Sequence, residues 1–231
     1  MTIQEIIDAK FRKEQEERKL RERSGKFNPS KFGRCYRAQI WNRRNEPESD
    51  SPDERTLRVF GCGKIFHDWV QKILLMETEK ENPDIEVRVE TDDVLGFADI
   101  VFADEVIDLK SQHSRAFHYH HQEGFDLRVD KKPDFLQAAF YAIQLNKPFF
   151  RLVYISKDDL CIAEYKPSVT TTVKAEVGEE LKTLRDYWSN NILPAAEPRA
   201  YIEKKTGKSK ECGYCGFYSR CQQQGPAAIT L

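Results

Sequence analysis

The stretch that decides the fold is Val94-Leu95-Gly96-Phe97-Ala98-Asp99-Ile100-Val101-Phe102, then Ala103-Asp104, then Glu105-Val106-Ile107-Asp108-Leu109-Lys110-Ser111. Two apolar runs around a short polar turn read as an antiparallel hairpin. Asp99 and Asp108 are equidistant from the turn, so in a tight hairpin they lie opposite each other on one face, with Cβ atoms ~4.5–5.5 Å apart. Lys110, two residues beyond Asp108, points to that face as well. Facing carboxylates repel unless a proton or a cation separates them, and oxygen ligands suit Mg²⁺ or Mn²⁺. A lysine beside a metal-bound water can hold it and help deprotonate it for attack on phosphorus. The competing reading is a cross-strand ion-pair cluster on a solvent face.

Upstream, Ile85–Glu90 reads as a further strand, with Glu90 placed as an outer carboxylate. Before it a long helix is expected over about 54–79, with Leu57, Phe60, Phe66, Trp69, Val70, Ile73 and Leu74 mostly inward. Gly61 and Gly63 each cost that helix roughly 1 kcal/mol against Ala, which implies close packing or a kink. Thr2 to about Arg23 reads as a first helix, and Ser30 as the N-cap of a second that carries Cys35 and Trp41. Asn45 to Asp53 is an acidic connector with two prolines. Downstream, the polar run Gln112–Lys132 precedes a helix over about 134–146. Strands follow at Phe149–Ser156 and Leu160–Tyr165, then a helix through Thr171–Asn190. This order predicts an α/β fold, a central mixed sheet flanked by helices. The expected division is a basic helical segment 1–53, a core 54–193 and a cysteine-bearing segment 194–231.

At 231 residues the chain is long enough to bury a proper core, and 39% hydrophobic content excludes a disordered chain. No apolar run approaches ~18–20 residues, so no membrane span is expected. The charged start lacks secretory character, and a cytoplasmic location is expected. The net charge of −1 conceals a split. Residues 1–44 hold 13 Lys+Arg and 6 Asp+Glu, 199–221 hold 6 and 2, and the middle, 45–198, holds 18 and 30.

Gly96-Phe97-Ala98-Asp99, Ile107-Asp108-Leu109-Lys110 and Gln137-Ala138-Ala139-Phe140-Tyr141 resemble the successive motifs of the PD-(D/E)XK nucleases, RecB type. Gly63-Lys64-Ile65-Phe66-His67 matches that branch's helical histidine. The resemblance implies a restriction-endonuclease-like core in which His67, Asp99, Asp108 and the Leu109 carbonyl ligate the metal. It implies that Lys110 orients the nucleophilic water, while Gln137 and Tyr141, on one helix face at i and i+4, contact DNA or brace the site.

Cys212, Cys215 and Cys221 form C-x2-C-x5-C, three soft ligands where zinc or an iron–sulfur cluster needs four. Cys35, Cys62 and Cys161 are the candidates for the fourth. One early cysteine with three late ones resembles the iron–sulfur subgroup of RecB-type nucleases, which includes AddB-like subunits and the small CRISPR-associated exonucleases. That implies a 4Fe–4S cluster on Cys35, Cys212, Cys215 and Cys221, with Cys62 and Cys161 as buried thiols; zinc is the alternative. Closing the cluster would join the two basic segments into a track for DNA. Arg34, Arg37, Arg115, Lys208 and Lys210 are candidate phosphate contacts, and Tyr36, Tyr214, Phe217, Tyr218 and Arg220 suit either base stacking or packing. Four of the five histidines lie at 113–121, read as a mobile substrate-side loop with Arg115 and Arg128, as a solvated loop, or as a metal site. The expected function is a Mg²⁺- or Mn²⁺-dependent DNA exonuclease preferring single-stranded ends, in CRISPR spacer acquisition or recombination. The alternative is a DNA-end-binding adaptor with weak activity in a larger complex. An integrase- or helicase-type partner and a homo-oligomer are both compatible with the chain, and an RNA substrate is not distinguished.

Overall fold

The structure is a computed structural model and describes residues 1–20, 24–78, 82–198 and 209–231, the side chain of Leu20 excepted. In chain order the elements are α1 (Ile3–Leu20), a 3₁₀ turn (Pro29–Lys31), α2 (Tyr36–Arg43), α3 (Glu54–Glu77), β1 (Asp84–Glu90), β2 (Leu95–Val101) and β3 (Glu105–Gln112). There follow α4 (Ser114–His120), α5 (Leu127–Asp130), α6 (Lys132–Gln144), β4 (Phe149–Ser156), β5 (Ile162–Tyr165) and α7 (Thr171–Ser189). The chain ends with β6 (Ile192–Leu193), α8 (Lys210–Gly213), α9 (Tyr218–Gln224) and β7 (Ile229–Thr230). No helix among the described residues is long and apolar enough to cross a membrane.

The chain forms two compact units. A sheet unit comprises Asn28–Gly33 and Ile65–Thr183, and a terminal unit comprises Met1–Phe27, Arg34–Lys64 and Leu184–Leu231. The sheet has five strands in the order β1-β2-β3-β4-β5. All its pairings are antiparallel except β3 with β4, which is parallel. A parallel pair needs a long crossover, supplied here by α4, α5 and α6. The predicted mixed sheet flanked by helices is therefore present. β3 is central and covered on both faces, which is why Glu105 to Leu109 are all buried.

One face of the sheet presents Ile100, Phe102, Ile107, Leu109, Val153 and Ile155 to Phe66, Val70 and Leu74 of α3. Those three α3 residues recur every four positions, one helical face. Phe60, Trp69 and Ile73, expected inward, are exposed, because that single face is as much of the helix as the sheet can cover. The helix α6 is buried from Phe135 to Ala142. Phe135 packs edge-on against Phe150 at 5.2 Å and Phe140 against Phe32 at 5.4 Å.

Two local expectations are corrected. Ser30 does not cap α2: Asn28 caps the 3₁₀ turn through its side chain, and α2 begins only after Cys35. The segment 113–121 is not a mobile loop but holds α4, pinned by buried Phe117 and started by the His113 side chain, which accepts the Arg115 N–H at 3.1 Å. His121 is enclosed by Phe117, Phe125, Tyr154 and Tyr165, whose hydroxyl lies 2.8 Å from its Nδ1.

In the terminal unit, α1 reaches α3 through the Asp8–Arg58 ion pair. A Cβ at Gly61 would lie 2.3 Å from the Phe11 ring, so close packing and not a kink explains that glycine. Arg43 lies over the rings of Phe27 (4.4 Å) and Trp188 (4.1 Å). The short ladder β6–β7 ties the C-terminus in.

Gly96 lies where the sheet unit is tightest: an added Cβ would come within 2.4 Å of the Tyr141 hydroxyl and 2.9 Å of Pro29 Cδ. Gly96→Ala is expected to cost about 1–3 kcal/mol in denaturant unfolding. Combining it with Tyr141→Phe should recover part of that loss, since the phenolic oxygen is the nearer obstacle. Strictly additive losses in the double variant would assign the whole conflict to Pro29.

Candidate active site

The β2–β3 hairpin positions the acidic pair as the spacing requires. Ile100 pairs with Ile107 and Val101 with Val106, so the register continues to Asp99 and Asp108, where the ladder stops. The β1 ladder skips the same point: Ile85 pairs with Ile100 and Val87 with Ala98, with no pair between Glu86 and Asp99. Glu86 there adopts φ 53°, a left-handed conformation that breaks strand pairing. Asp99 thus lies in a local opening of the sheet. Its backbone carbonyl accepts the Gln71 amide at 3.3 Å, and the same amide reaches Glu86 at 3.0 Å. Its Oδ2 accepts the Leu109 N–H at 2.7 Å and lies 3.7 Å from His67 Nδ1.

Asp108 is 1% exposed. Lys110 Nζ is 2.5 Å from its Oδ2, while Oδ1 is buried and accepts no hydrogen bond among the described residues. Lys110 also donates to Gln137 Oε1 at 3.2 Å. His67, Asp99, Asp108, Lys110, Gln137 and Tyr141 are thereby brought together from α3, β2, β3 and α6. The sequence pattern does not point to Asp134. It sits three residues before Gln137, accepts the Tyr154 hydroxyl at 3.0 Å, and acts on both Asp108 and Lys110. The i, i+3 spacing on α6 places Asp134 and Gln137 on one face, but that spacing singles out no carboxylate until Tyr154 is placed against it. Glu90, expected as the outer carboxylate, is exposed and pairs with Arg88 at 2.5 Å. Glu86 takes the place beside Asp99 and His67.

Burial dominates the electrostatics. It pushes the Asp99 carboxyl up to about 6, against the opposing pull of Lys110 and the Leu109 N–H. Burial also pushes Asp108 up to about 7, with the Asp99 charge adding and Lys110 opposing. Burial pulls the Lys110 ammonium down, but Asp108, Asp134 and Asp99 outweigh it, so its pKa is raised and it stays charged. Burial and then Lys110 hold His67 below its ordinary value, leaving the imidazole neutral near pH 7. Burial, Asp108 and Asp99 raise the Tyr141 phenol. Two carboxylates that resist ionisation, one with a buried oxygen lacking a partner, form an oxygen-donor set suited to a hard divalent cation.

Cys35, Cys212, Cys215 and Cys221 all belong to the terminal unit and influence one another electrostatically. Burial raises the Cys35 thiol and pushes Cys215 up to about 11, and Cys35, Cys212 and Cys221 all act on Cys215. Cys212 is raised by burial and then by Cys35. Cys161 belongs to the sheet unit and is exposed, not buried as expected, because the turn before the edge strand β5 carries it. Arg37, expected on a DNA track, is fully buried. Its guanidinium donates to the carbonyls of Gly225 (2.5 Å) and Ala227 (2.9 Å) and lies 3.6 Å from Cys221 Sγ. Arg34 and Arg115 are exposed, Lys210 is half-buried, and Lys208 lies outside the described residues. Arg128 pairs with Glu176 and Arg220 with Glu46. Phe217 is buried against Trp41, which assigns it to packing.

No family model and no curated protein matches the chain by sequence. Solved structures match it in fold. SSO0001 aligns over 96% of both chains at 18% identity with a TM-score of 0.59. LHK-Exo in complex with dAMP covers 71% of this chain and 88% of its own at 12% identity, TM-score 0.52. Another structure of LHK-Exo, an alkaline exonuclease from Laribacter hongkongensis, covers 75% and 94% at 13% identity, TM-score 0.46. The core is restriction-endonuclease-like, an α/β fold shared with LHK-Exo.

In a chelator, stability must depend on the buried carboxylates. Their folded pKa values, about 6 and about 7, exceed the ordinary 3.8. Their contribution is therefore fully present below that ordinary value and is lost as pH rises through 6 and 7. His121, held down to about 4 by burial, contributes in the opposite direction. The readout is accordingly the melting temperature of wild type minus that of Asp99→Asn, which is expected to fall between pH 5 and pH 8. Excess Mn²⁺ should cancel the fall, and a difference that rises with pH would contradict the assignment.

Proposed function

We propose that the chain is a divalent-metal-dependent DNA exonuclease of the PD-(D/E)XK type. It prefers single-stranded ends and carries a 4Fe–4S cluster as a structural staple. The observation that carries the reading is the buried Asp99–Asp108–Lys110 set at the opening between β2 and β3. The fold shared with LHK-Exo, solved with a deoxynucleoside monophosphate, supports DNA as the substrate.

His67, Asp99, Asp108 and the Leu109 carbonyl would hold Mg²⁺ or Mn²⁺. When bound, the cation supplies an acidified water and neutralises charge on the phosphate. The chain's own groups do the rest. Lys110, kept charged by its carboxylates, positions the attacking water and donates to it more readily than it takes a proton. Gln137 fixes that ammonium, and the protonated Tyr141 hydroxyl is a second donor facing the carboxylates. His67, neutral near pH 7, offers a lone pair to the metal.

Cys35, Cys212, Cys215 and Cys221 would take the cluster, since burial holds Cys35, Cys212 and Cys215 protonated and cationic iron or zinc would let them ionise together. Segment 1–53 would supply the first cysteine, 54–193 the nuclease core and 194–231 the other three. Arg34, Arg115 and Lys210 are the side chains proposed to contact phosphate.

End-labelled single-stranded DNA with Mn²⁺ tests the activity. Asp99→Ala, Asp108→Ala and Lys110→Ala should each lower the rate by at least about 100-fold. Full activity in all three would rule out the site. Independently, protein purified without oxygen should be brown and should bleach with dithionite. Stoichiometric zinc without iron would replace the cluster by a zinc staple and leave the active-site reading standing.

A further inference from the structure

Apart from the β2–β3 opening and the cysteines of the terminal unit, one further set of ligating side chains gathers among the described residues. His118 on α4, Asp159 in the β4–β5 turn and Cys161 at the end of that turn have ligand atoms within 4.8 Å of one another. All three belong to the sheet unit and all three are exposed. From this geometry we propose a second metal site, distinct in chemistry from the carboxylate pair: a mixed nitrogen, oxygen and sulfur site for a borderline divalent cation, Zn²⁺ in particular.

The donor set decides the metal. Mg²⁺ and Mn²⁺ prefer oxygen, whereas imidazole with thiolate selects zinc. Three protein ligands leave the fourth tetrahedral position to water. Ligands ~2.0–2.3 Å from zinc sit roughly 3–4 Å apart, so closure from the present spacing requires a shift of only about an ångström.

The scaffold holds the ligands ready. Buried Phe117 anchors α4, and the His118 ring lies edge-on to it at 5.4 Å. His118 Nε2 is already 2.6 Å from Asp159 Oδ2. The neighbouring Asp158 accepts the Ser114 N–H at 2.7 Å and lies 3.6 Å from His113 Nε2, so the turn grips both the start and the later part of α4. Between the two turn ligands Leu160 adopts φ 59°, which bends the chain back on itself. Desolvation and the Asp159 carboxylate push the Cys161 thiol up, a repulsion between anions that a bound cation turns into attraction. The metal would pin α4, which directly follows the strand carrying Asp108 and Lys110, to the β4–β5 turn. The site does not depend on the exonuclease reading.

Co²⁺, a spectroscopic stand-in for zinc, titrated into the full chain tests the site. Because Cys35, Cys212, Cys215 and Cys221 would also take soft metals under the proposed function, the readout is the difference between wild type and Cys161→Ser or His118→Ala. Both changes are at exposed positions. Wild type should bind one more Co²⁺ per chain than either variant and show additional thiolate-to-cobalt absorbance. In hydrogen exchange, Zn²⁺ should slow the amides of 114–120 in wild type and not in Cys161→Ser. Equal stoichiometry in all three proteins, or equal protection of α4 in wild type and Cys161→Ser, would overturn the proposal.

Discussion

Three ionisable side chains gathered at one point, Asp108 buried and Asp99 and Lys110 half-buried, govern the sheet unit. Asp99, Asp108 and Lys110 bring two potential negative charges and one positive into a space with little access to water. Desolvation alone would neutralise all three. One carboxylate can be balanced by the ammonium; the other cannot, and the structure accommodates the excess in specific ways. The Leu109 N–H is diverted from the strand ladder to Asp99 Oδ2. Gln137 completes the coordination of Lys110. Asp134, itself satisfied by the Tyr154 hydroxyl, adds negative potential that keeps Lys110 charged. What remains is an unpaired oxygen on Asp108, and a residual negative potential is what a divalent cation requires.

The sheet is built so that this point is open without being loose. On one side β3 pairs with β4 through eight consecutive residues, from Glu105–Phe149 to Gln112–Ser156. On the other it pairs with β2 at only two positions before the strands part. One flank of Asp108 is therefore held rigidly, and the other is vacated in front of Asp99. The skipped pair at Glu86 extends that opening into the next ladder. Gly96 belongs to the same design: with any side chain there, Tyr141 could not approach the carboxylates from α6.

The parts of this arrangement visible in the sequence are those set by short-range periodicity. Asp99 and Asp108 are symmetric about a two-residue turn, and alternation alone sends Lys110 to the Asp108 face. Gln137 and Tyr141 share a helix face for the equally local reason of a four-residue spacing. What escaped reading depends on long-range placement. Glu86 and Glu90 have the same parity on β1, and only a positive φ at Glu86 determines which one approaches Asp99. Asp134 was silent because a carboxylate in the first turn of a helix is ordinary until the partner strand brings Tyr154 against it. The 113–121 segment looked like a loop because its polar residues mask a single anchor, Phe117, and one buried ring suffices to hold a seven-residue helix.

The charge balance of the chain ends shows the same limit most clearly. Counting Lys and Arg by segment assigns a strongly basic character to residues 1–44, yet a count cannot tell a surface cation from an internal one. Arg37 is spent on the carbonyls of Gly225 and Ala227, beside Cys221, and Arg43 on the rings of Phe27 and Trp188. In the terminal unit these guanidiniums act as structural cross-links, joining α2 to the chain terminus and to α7. A guanidinium suits that role because its planar fork satisfies several acceptors while its face lies on an aromatic ring. The fixed charge of Arg37 next to the cysteine set also offsets part of the negative charge that four thiolates would bring. Composition therefore overstates the surface charge of residues 1–44, because Arg37 and Arg43 are both buried.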